Sequence, residues 1–245
     1  MKSKMKDYIR QKNVSDEELR FYHREGYVVL EQLLDEKYLP KIKADVMALM
    51  GQIGLGESKL RQTGEYLKRS YLDGLVNSSR LRDTASELLV GSAHLYLPFT
   101  AVKTAGGGGA FDFHQDNQYT QHRGGGSLNF WIALVDMEVK NGCLYVDPRS
   151  HTKGTLEAEI LDDGHRKVEP EAPIPLEIRA GDAIAFSRLL VHGSTINQSK
   201  DHRVAYAVQF HREDTEAMMD GEWKLLKDHP RFDVAPKGSM EEIQS

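Results

Sequence analysis

The chain has 245 residues, 40 % hydrophobic and 28 % charged, the balance of a globular protein rather than a disordered one. Its formal charge of -5 gives no electrostatic reason to approach nucleic acid or an anionic membrane. No stretch reaches the roughly 18 apolar residues of a membrane span, no apolar targeting core follows the N-terminal lysines, and a lone cysteine, Cys143, excludes internal disulfides, so a reducing cytoplasm is the expected compartment.

The first third reads as helical. Ser15 and Glu18 make a capping-box pattern ahead of LRFYHREGY, and Gly26 is placed to stop that helix. VVLEQLL reads as a short strand and turn. Asp35 is a candidate cap for a helix over about 37–50, where Leu39, Ile42, Val46 and Leu49 recur at helical spacing. The glycines of GQIGLG end it; no Lys-Ser/Thr pair follows, so this is no phosphate loop. Another amphipathic helix is predicted over about 79–90.

From about Ala93 the texture changes. HLYLPFTAVK, SLNFWIALVDM, CLYVDP, APIPLEIRA, DAIAFSRLLVH and RVAYAVQFH are short β-rich segments separated by Gly, Pro, Asn and Asp turns. Six or more strands without intervening helices argue for a mainly β protein with flanking helices, an antiparallel sandwich or jelly roll. After Arg212, EWKLLKDHPRF reads as a packing helix followed by a polar end. With no internal repeat and no long linker, 1–245 reads as one domain: a helical part to about 92, a jelly-roll core over about 93–212 and a tail over 213–245.

Three His-x-Asp/Glu triplets occur: His114-Gln-Asp116, His23-Arg-Glu25 and His211-Arg-Glu213. Random placement yields roughly one and a half, so the pattern decides nothing alone. Context separates them. His23 and Glu25 fall in a helix, where i and i+2 face apart. In a strand i and i+2 share a face, so His114 and Asp116 can present an imidazole and a carboxylate together. His192, ending the LLVH strand, is the natural third ligand. Two histidines and one carboxylate leave three positions open on a six-coordinate metal, which suits non-haem Fe(II); a closed zinc site would want four ligands and more cysteine. Arg203 follows His192 by 11 residues across a hairpin. On the returning strand it shares one face with Ala205 and Ala207, opposite Val204, Tyr206 and Val208. A guanidinium beside two alanines projects into a small space and suits the buried carboxylate of a dicarboxylic acid. Ser194 or Thr195 would add a hydroxyl. Cys143 reads as a small buried hydrophobe. The glycine runs 106–109 and 124–126 bracket AFDFHQDNQYTQHR. They read either as two β-turns or as hinges, with 105–110 a mobile cover that closes when substrate is present.

FHQD, NGCLYVDPRSH and AGDAIAFSRLLVHGSTINQSKDHRVAYAVQF together resemble the phytanoyl-CoA dioxygenase family of Fe(II)/2-oxoglutarate oxygenases, in detail over about 93–212. The resemblance implies a cupin-like double-stranded β-helix. It also implies His114, Asp116 and His192 as iron ligands, and Arg203 with Ser194 for the distal carboxylate of 2-oxoglutarate, with Gln115 and Lys103 as further cosubstrate contacts. Arg149 departs from the family, which usually has glycine before Ser-His. His151 falls in a structural turn by the same comparison, and His211-Arg-Glu213, on the Arg203 face by parity, reads either as reaching the pocket or as a polar strand exit.

The implied activity is hydroxylation of an unactivated C–H bond with release of succinate and carbon dioxide. Asp116 fills the position a halogenase would give to chloride. Desaturation, epimerisation and ring formation stay open, and the oligomeric state is not legible. Asn117, Tyr119, His122, Arg123, Trp131 and Arg188 flank the motifs as candidate substrate contacts. Their bias points to a small polar or anionic metabolite, with an acyl-CoA thioester as the alternative. The remaining rival is a non-catalytic jelly roll that binds a small acid or metal.

Overall fold

The computed structural model describes residues 8–10, 12–53, 60–61 and 70–227. In chain order its helices and strands are α1 (Asp16–Glu25), β1 (Tyr27–Leu30), α2 (Leu39–Ile53), β2 (Leu60–Arg61), α3 (Tyr71–Val76), α4 (Ser79–Leu89), β3 (Ala93–Lys103), β4 (Phe111–His114), β5 (His122–Arg123), β6 (Ser127–Ala133), β7 (Leu144–Val146), β8 (Glu159–Ile160), β9 (Arg166–Lys167), β10 (Ile174–Leu176), β11 (Ala183–Ser187), β12 (His192–Ser194), β13 (Arg203–Arg212), β14 (Glu216–Met219) and β15 (Glu222–Leu225).

The helices obey their local signals. Ser15 Oγ accepts the Glu18 N–H at 3.2 Å while Glu18 returns a carboxylate to the Ser15 N–H at 2.9 Å. Gly26, at φ 86°, closes α1 by donating to the Tyr22 carbonyl. Asp35 accepts the Lys37 N–H in the turn before α2. That helix runs through Gly51 to Ile53; Gly54 and Gly56 lie outside the described residues.

Two antiparallel sheets form the β core. One has the order β1-β11-β6-β13-β3-β2 and the other β10-β7-β12-β4. Strand periodicity divides the larger sheet's side chains cleanly. Val204, Tyr206, Val208 and Phe210 of β13 join Leu128, Phe130 and Ile132 of β6 in a core shared with Ile42, Val46, Leu81 and Leu88 of the helices. Ala205 and Ala207 face the other way, with Trp131, Phe186, Leu144 and Val146, into a second core between the two sheets. Residues on both faces of β13 are therefore buried, and Arg203 lies on the side that looks between the sheets. This is the jelly roll expected of the sequence, with helices packed on one outer face.

Three features differ from expectation or add to it. The segment after Arg212 is not a helix: β14 and β15 form a hairpin that continues onto β5, with Arg123 over the Trp223 ring at 4.3 Å. Its turn is Asp220-Gly221, both at positive φ, the hairpin signal Asp-Gly supplies; residues 228–245 lie outside the description. Residues 106–108 make backbone hydrogen bonds. Gly106 and Gly107 donate to the carbonyls of Ser199 and Asn197, Gly108 donates to the Thr104 carbonyl, and the Gly108 carbonyl accepts the Asn197 N–H. A methyl at Gly108 would overlap the Thr104 carbonyl, whereas one at Gly106 or Gly107 would meet open space.

The third feature is Arg149. Its φ of 69° is a left-handed conformation that costs a residue with a side chain roughly 1–2 kcal/mol, which is why glycine suits the position. Here Nε and Nη2, along one edge of the guanidinium, each donate to a Glu25 carboxylate oxygen at 2.9 Å, and the Arg149 N–H donates to the Glu25 carbonyl. Hydrogen bonds from Arg149 and Arg24 hold the Glu25 carboxyl down at about 2. A depressed carboxylate contributes stability above its unfolded value near 4.5 that is lost as the pH falls towards 2. Glu25→Gln is expected to lower stability at neutral pH and to flatten its decline between about pH 4.5 and 2 relative to wild type. Denaturant melts across that interval check this; parallel pH profiles would contradict it.

Candidate metal centre

The centre is assembled by strand pairing. β12 and β4 are antiparallel neighbours, and His192 is the register partner of His114. β4 ends at His114, and Asp116 arrives on a short 3-10 turn, Asp116–Gln118, so a turn rather than the pleat aims the carboxylate. One donor atom from each of the three lies within 4.8 Å of the others. Both Nε2 atoms stand 3.8 Å from Asp116 Oδ1. His114 Nδ1 faces the Asp112 carbonyl at 2.8 Å and His192 Nδ1 the Leu190 carbonyl at 2.9 Å. A carbonyl can only accept, so each Nδ1 carries the proton and each Nε2 offers its lone pair to the centre. Gly193 permits the arrangement, because a Cβ there would lie 3.0 Å from the Phe111 carbonyl oxygen.

Electrostatics agree with ligand states. Burial, then the neighbouring His192, pushes His114 down to about 3. Burial raises the Asp116 carboxyl, but His192, Arg188 and His114 outweigh it and the net shift is downward. An uncharged imidazole beside an ionised carboxylate is what a metal demands of its ligands. Among the described residues this is the one group of three such side chains close enough to share an ion.

A narrow cleft leads from the centre between the sheets, past Phe99, Ala101, Trp131, Leu144 and Ser194, to Arg203. Arg203 is buried, stacks over the Trp131 ring at 5.1 Å and donates one bond to the Ala101 carbonyl. Its Nε has no partner. Lys103, its register partner on β3, is fully buried and donates to the Thr195 carbonyl. Burial pushes Arg203 down to about 9 and, with Arg203 beside it, Lys103 down to about 6. Among the described residues no carboxylate lies within ion-pairing distance of either cation. Such a pair lacks the counter-charge that makes burial tolerable.

A wider cavity of about 310 Å³ opens on the other side of His114 and Asp116, walled by Tyr96, Phe99, Phe111, Tyr119, His165 and Arg188. Of the expected substrate contacts, Tyr119 and Arg188 line this cavity and Trp131 the inner cleft. Gln115 and Asn117 are corrections. Both Gln115 amide hydrogens go to the carbonyls of Gly154 and Leu189, and its oxygen accepts the Leu156 N–H. Asn117 bonds Thr155 and the His122 N–H. Both side chains alternate away from the ligands and pin loops instead. Arg123 is held by Glu216, outside the cavity, and His122 bonds Ser127. His151 sits in a 3-10 turn against the His23 carbonyl. His211 is fully buried, stacked on His94, not a polar exit. Several lining residues were not anticipated, among them Asn129 in the cleft and His165 and Gln209 in the wider cavity. The signal was available, since Gln209 shares strand parity with Arg203.

A family model described as phytanoyl-CoA dioxygenase (PhyH) matches residues 22–205. The chain belongs to the phytanoyl-CoA dioxygenase family. A family relative, the phytanoyl-CoA dioxygenase of Arabidopsis thaliana, is 24 % identical over 80 % of this chain and 88 % of its own length. Two solved structures are similar in fold. EvdO2 from Micromonospora carbonacea var. aurantiaca, crystallised with 2-oxoglutarate, superposes with a TM-score of 0.72 at 18 % identity, covering 91 % of this chain and 98 % of its own. The epimerase SnoN from nogalamycin biosynthesis, crystallised with Fe3+, α-ketoglutarate and nogalamycin RO, gives 0.67 at 18 %, covering 82 % and 84 %. Membership of the phytanoyl-CoA dioxygenase family makes this protein a 2-oxoglutarate-dependent non-haem iron dioxygenase. No helix among the described residues is long and apolar enough to cross a membrane. Burial pushes the Cys143 thiol up to about 11, which suits an inert core residue.

His192→Ala is expected to weaken Fe(II) binding by more than about a hundredfold, beyond the 10–100-fold that losing a supporting residue costs. His151→Ala should bind as wild type does. Anaerobic calorimetry distinguishes the two, and the reverse ranking would displace His192 from the centre.

Proposed function

We propose that this protein hydroxylates an unactivated C–H bond of a small metabolite held in the aromatic-walled cavity, within one domain that includes its helical N-terminal part. The overall change is R–H + O2 + 2-oxoglutarate to R–OH + succinate + CO2. One oxygen atom enters the substrate and the other enters succinate.

The residues present fit both groups this chemistry needs. Two imidazole nitrogens with their lone pairs turned inward and one carboxylate oxygen form a donor set for Fe(II) that leaves positions free. His114, Asp116 and His192 would hold it. Arg203, with Ser194 at the cleft wall, would take the distal carboxylate of 2-oxoglutarate, and Lys103 beside it would add a hydrogen-bond donor that regains its charge once an anion is bound. Bound iron, with its cosubstrate and dioxygen, supplies the oxidising power for C–H cleavage. The chain's own contribution is orientation and shelter: carbonyls of residues 112 and 190 aim the imidazoles, and Phe99, Phe111 and Phe186 line the cleft with apolar surface.

The observation that carries the reading is the buried Arg203 at the end of a cleft starting at the ligand cluster, without a carboxylate partner among the described residues. The same observation argues against a non-catalytic role, because both halves of a cosubstrate site stand intact. The presence of 2-oxoglutarate in EvdO2, and of Fe3+ with α-ketoglutarate in SnoN, supports it.

Substrate class follows from the cavity. At about 310 Å³ it lies at the small end of the ~300–1,000 Å³ typical of small-molecule sites. An acyl-CoA would leave its nucleotide outside, so the family name does not favour that substrate here. Arg188, the cation of the wall, is engaged by Gln209, Asp116 and Thr120 oxygens, which weakens the case for an anionic group. A ring-sized metabolite with a polar edge suits Tyr96, Phe111 and Tyr119 better.

Iron- and 2-oxoglutarate-dependent succinate release, screened against metabolites for stimulation above the uncoupled background, tests the function. Arg203→Ala is expected to raise the Michaelis constant for 2-oxoglutarate roughly a hundredfold or more, since unpairing a buried charge costs on the order of 3–5 kcal/mol, while Fe(II) binding survives. An unchanged constant removes the arginine from the site.

A further inference from the structure

Asp116 is held from behind by a second group of side chains. Its Oδ1 faces the two histidines, and its Oδ2 accepts a hydrogen bond from Gln209 Nε2 at 2.8 Å. The Gln209 oxygen accepts from Arg188 Nη1 at 2.8 Å, and Arg188 Nη2 donates to the Asp116 carbonyl at 2.9 Å. Gln209 is 3 % exposed and Arg188 4 %. A guanidinium can only donate and a carboxylate can only accept, so an amide between them has one orientation, oxygen to arginine and nitrogen to aspartate. Asn129, the register partner of Gln209 on β6, lies beside the carboxylate and helps to hold its pKa down.

Burying this polar chain is unfavourable, the more so as Arg188 Nε has no partner, and an apolar side chain would fill the same volume on β13. The chain's effect on Asp116 is specific. With Oδ2 engaged, only Oδ1 is free to meet an ion. A carboxylate that turned both oxygens inward would take one of the three positions that cosubstrate and oxygen require.

We propose that Gln209, its amide locked by Arg188, is a positioning residue that restricts Asp116 to one-oxygen ligation and keeps the metal's remaining positions open. This rests on the reading that His114, Asp116 and His192 hold iron.

The test is anaerobic titration of Fe(II) and of Co(II) into wild type, Asp116→Ala, Gln209→Met and Gln209→Asn. Circular dichroism and thermal melts report on the fold. Gln209→Met keeps the length of the side chain without its donor. Gln209→Asn keeps the amide but falls one methylene short of spanning Arg188 and Asp116, and it decides the matter should the methionine variant not fold. The expected result is a Kd raised about 10–100-fold in either variant, the range for losing a residue that orients a ligand. The visible Co(II) spectrum should also change at saturating metal, because the carboxylate is free to turn. A purely structural glutamine would lower the melting temperature and move neither quantity. Folded Gln209 variants with wild-type Kd and superimposable Co(II) spectra, beside a defective Asp116→Ala, overturn the proposal and leave the metal site standing. Wild-type binding by Asp116→Ala overturns both.

Discussion

The antiparallel pairing of β12 with β4 is the constraint on which the rest of this structure depends. It sets His192 opposite His114, and two residues in register across a ladder have no freedom to drift apart unless the sheet slips. The backbone carbonyls behind each imidazole then fix which nitrogen looks inward. Gly193, between the strand and Phe111, lets the two backbones approach closely enough for this to happen. Ligand geometry is thus a property of sheet register, and the side chains only complete it.

The larger sheet does the corresponding work for charge. β13 runs through the middle of its sheet with both faces covered, and its inward side carries alanines at 205 and 207. Those small side chains leave room in which Arg203 and Gln209, at opposite ends of the same face, reach toward opposite ends of one cleft. One end holds the uncompensated charge of Arg203, with the Lys103 amine beside it; the other holds a carboxylate with Arg188 beside it. An acid group entering the cleft is drawn toward the Arg203 end by such a field.

Much of this was legible in the sequence because it follows from periodicity of two. The alternation in RVAYAVQFH assigned Arg203 to the small-residue face, and the structure divides that strand between its two cores in the same way. Capping signals at Ser15 and Gly26 were local and complete. The tail was misread because KLLK looks helical by composition, although Asp220-Gly221 ahead of it marks a hairpin more strongly than any propensity. Gln115 and Asn117 were misjudged for a different reason. Adjacency to a motif says nothing about direction, and residues that alternate with ligands point away from them. Gln209 was overlooked although it obeys the parity that located Arg203. Its partners, Arg188 and Asp116, are 21 and 93 residues away, and no local pattern announces a contact made by folding.

The clasp between Arg149 and Glu25 carries a consequence for how sequences of this type can change. Neither residue is comfortable alone. An arginine in a left-handed turn without its carboxylate keeps only the backbone strain, and a Glu25 that is 10 % exposed, without the fork of Arg149, loses the main stabilisation of its charge. A lineage moving between glycine and arginine at position 149 therefore does not have both orders of mutation equally open. With glycine at 149 the turn carries no strain whatever stands at 25, whereas arginine at 149 is offset only by its bonds to Glu25. The two positions form an epistatic pair, separated by 124 residues and joined only by the fold.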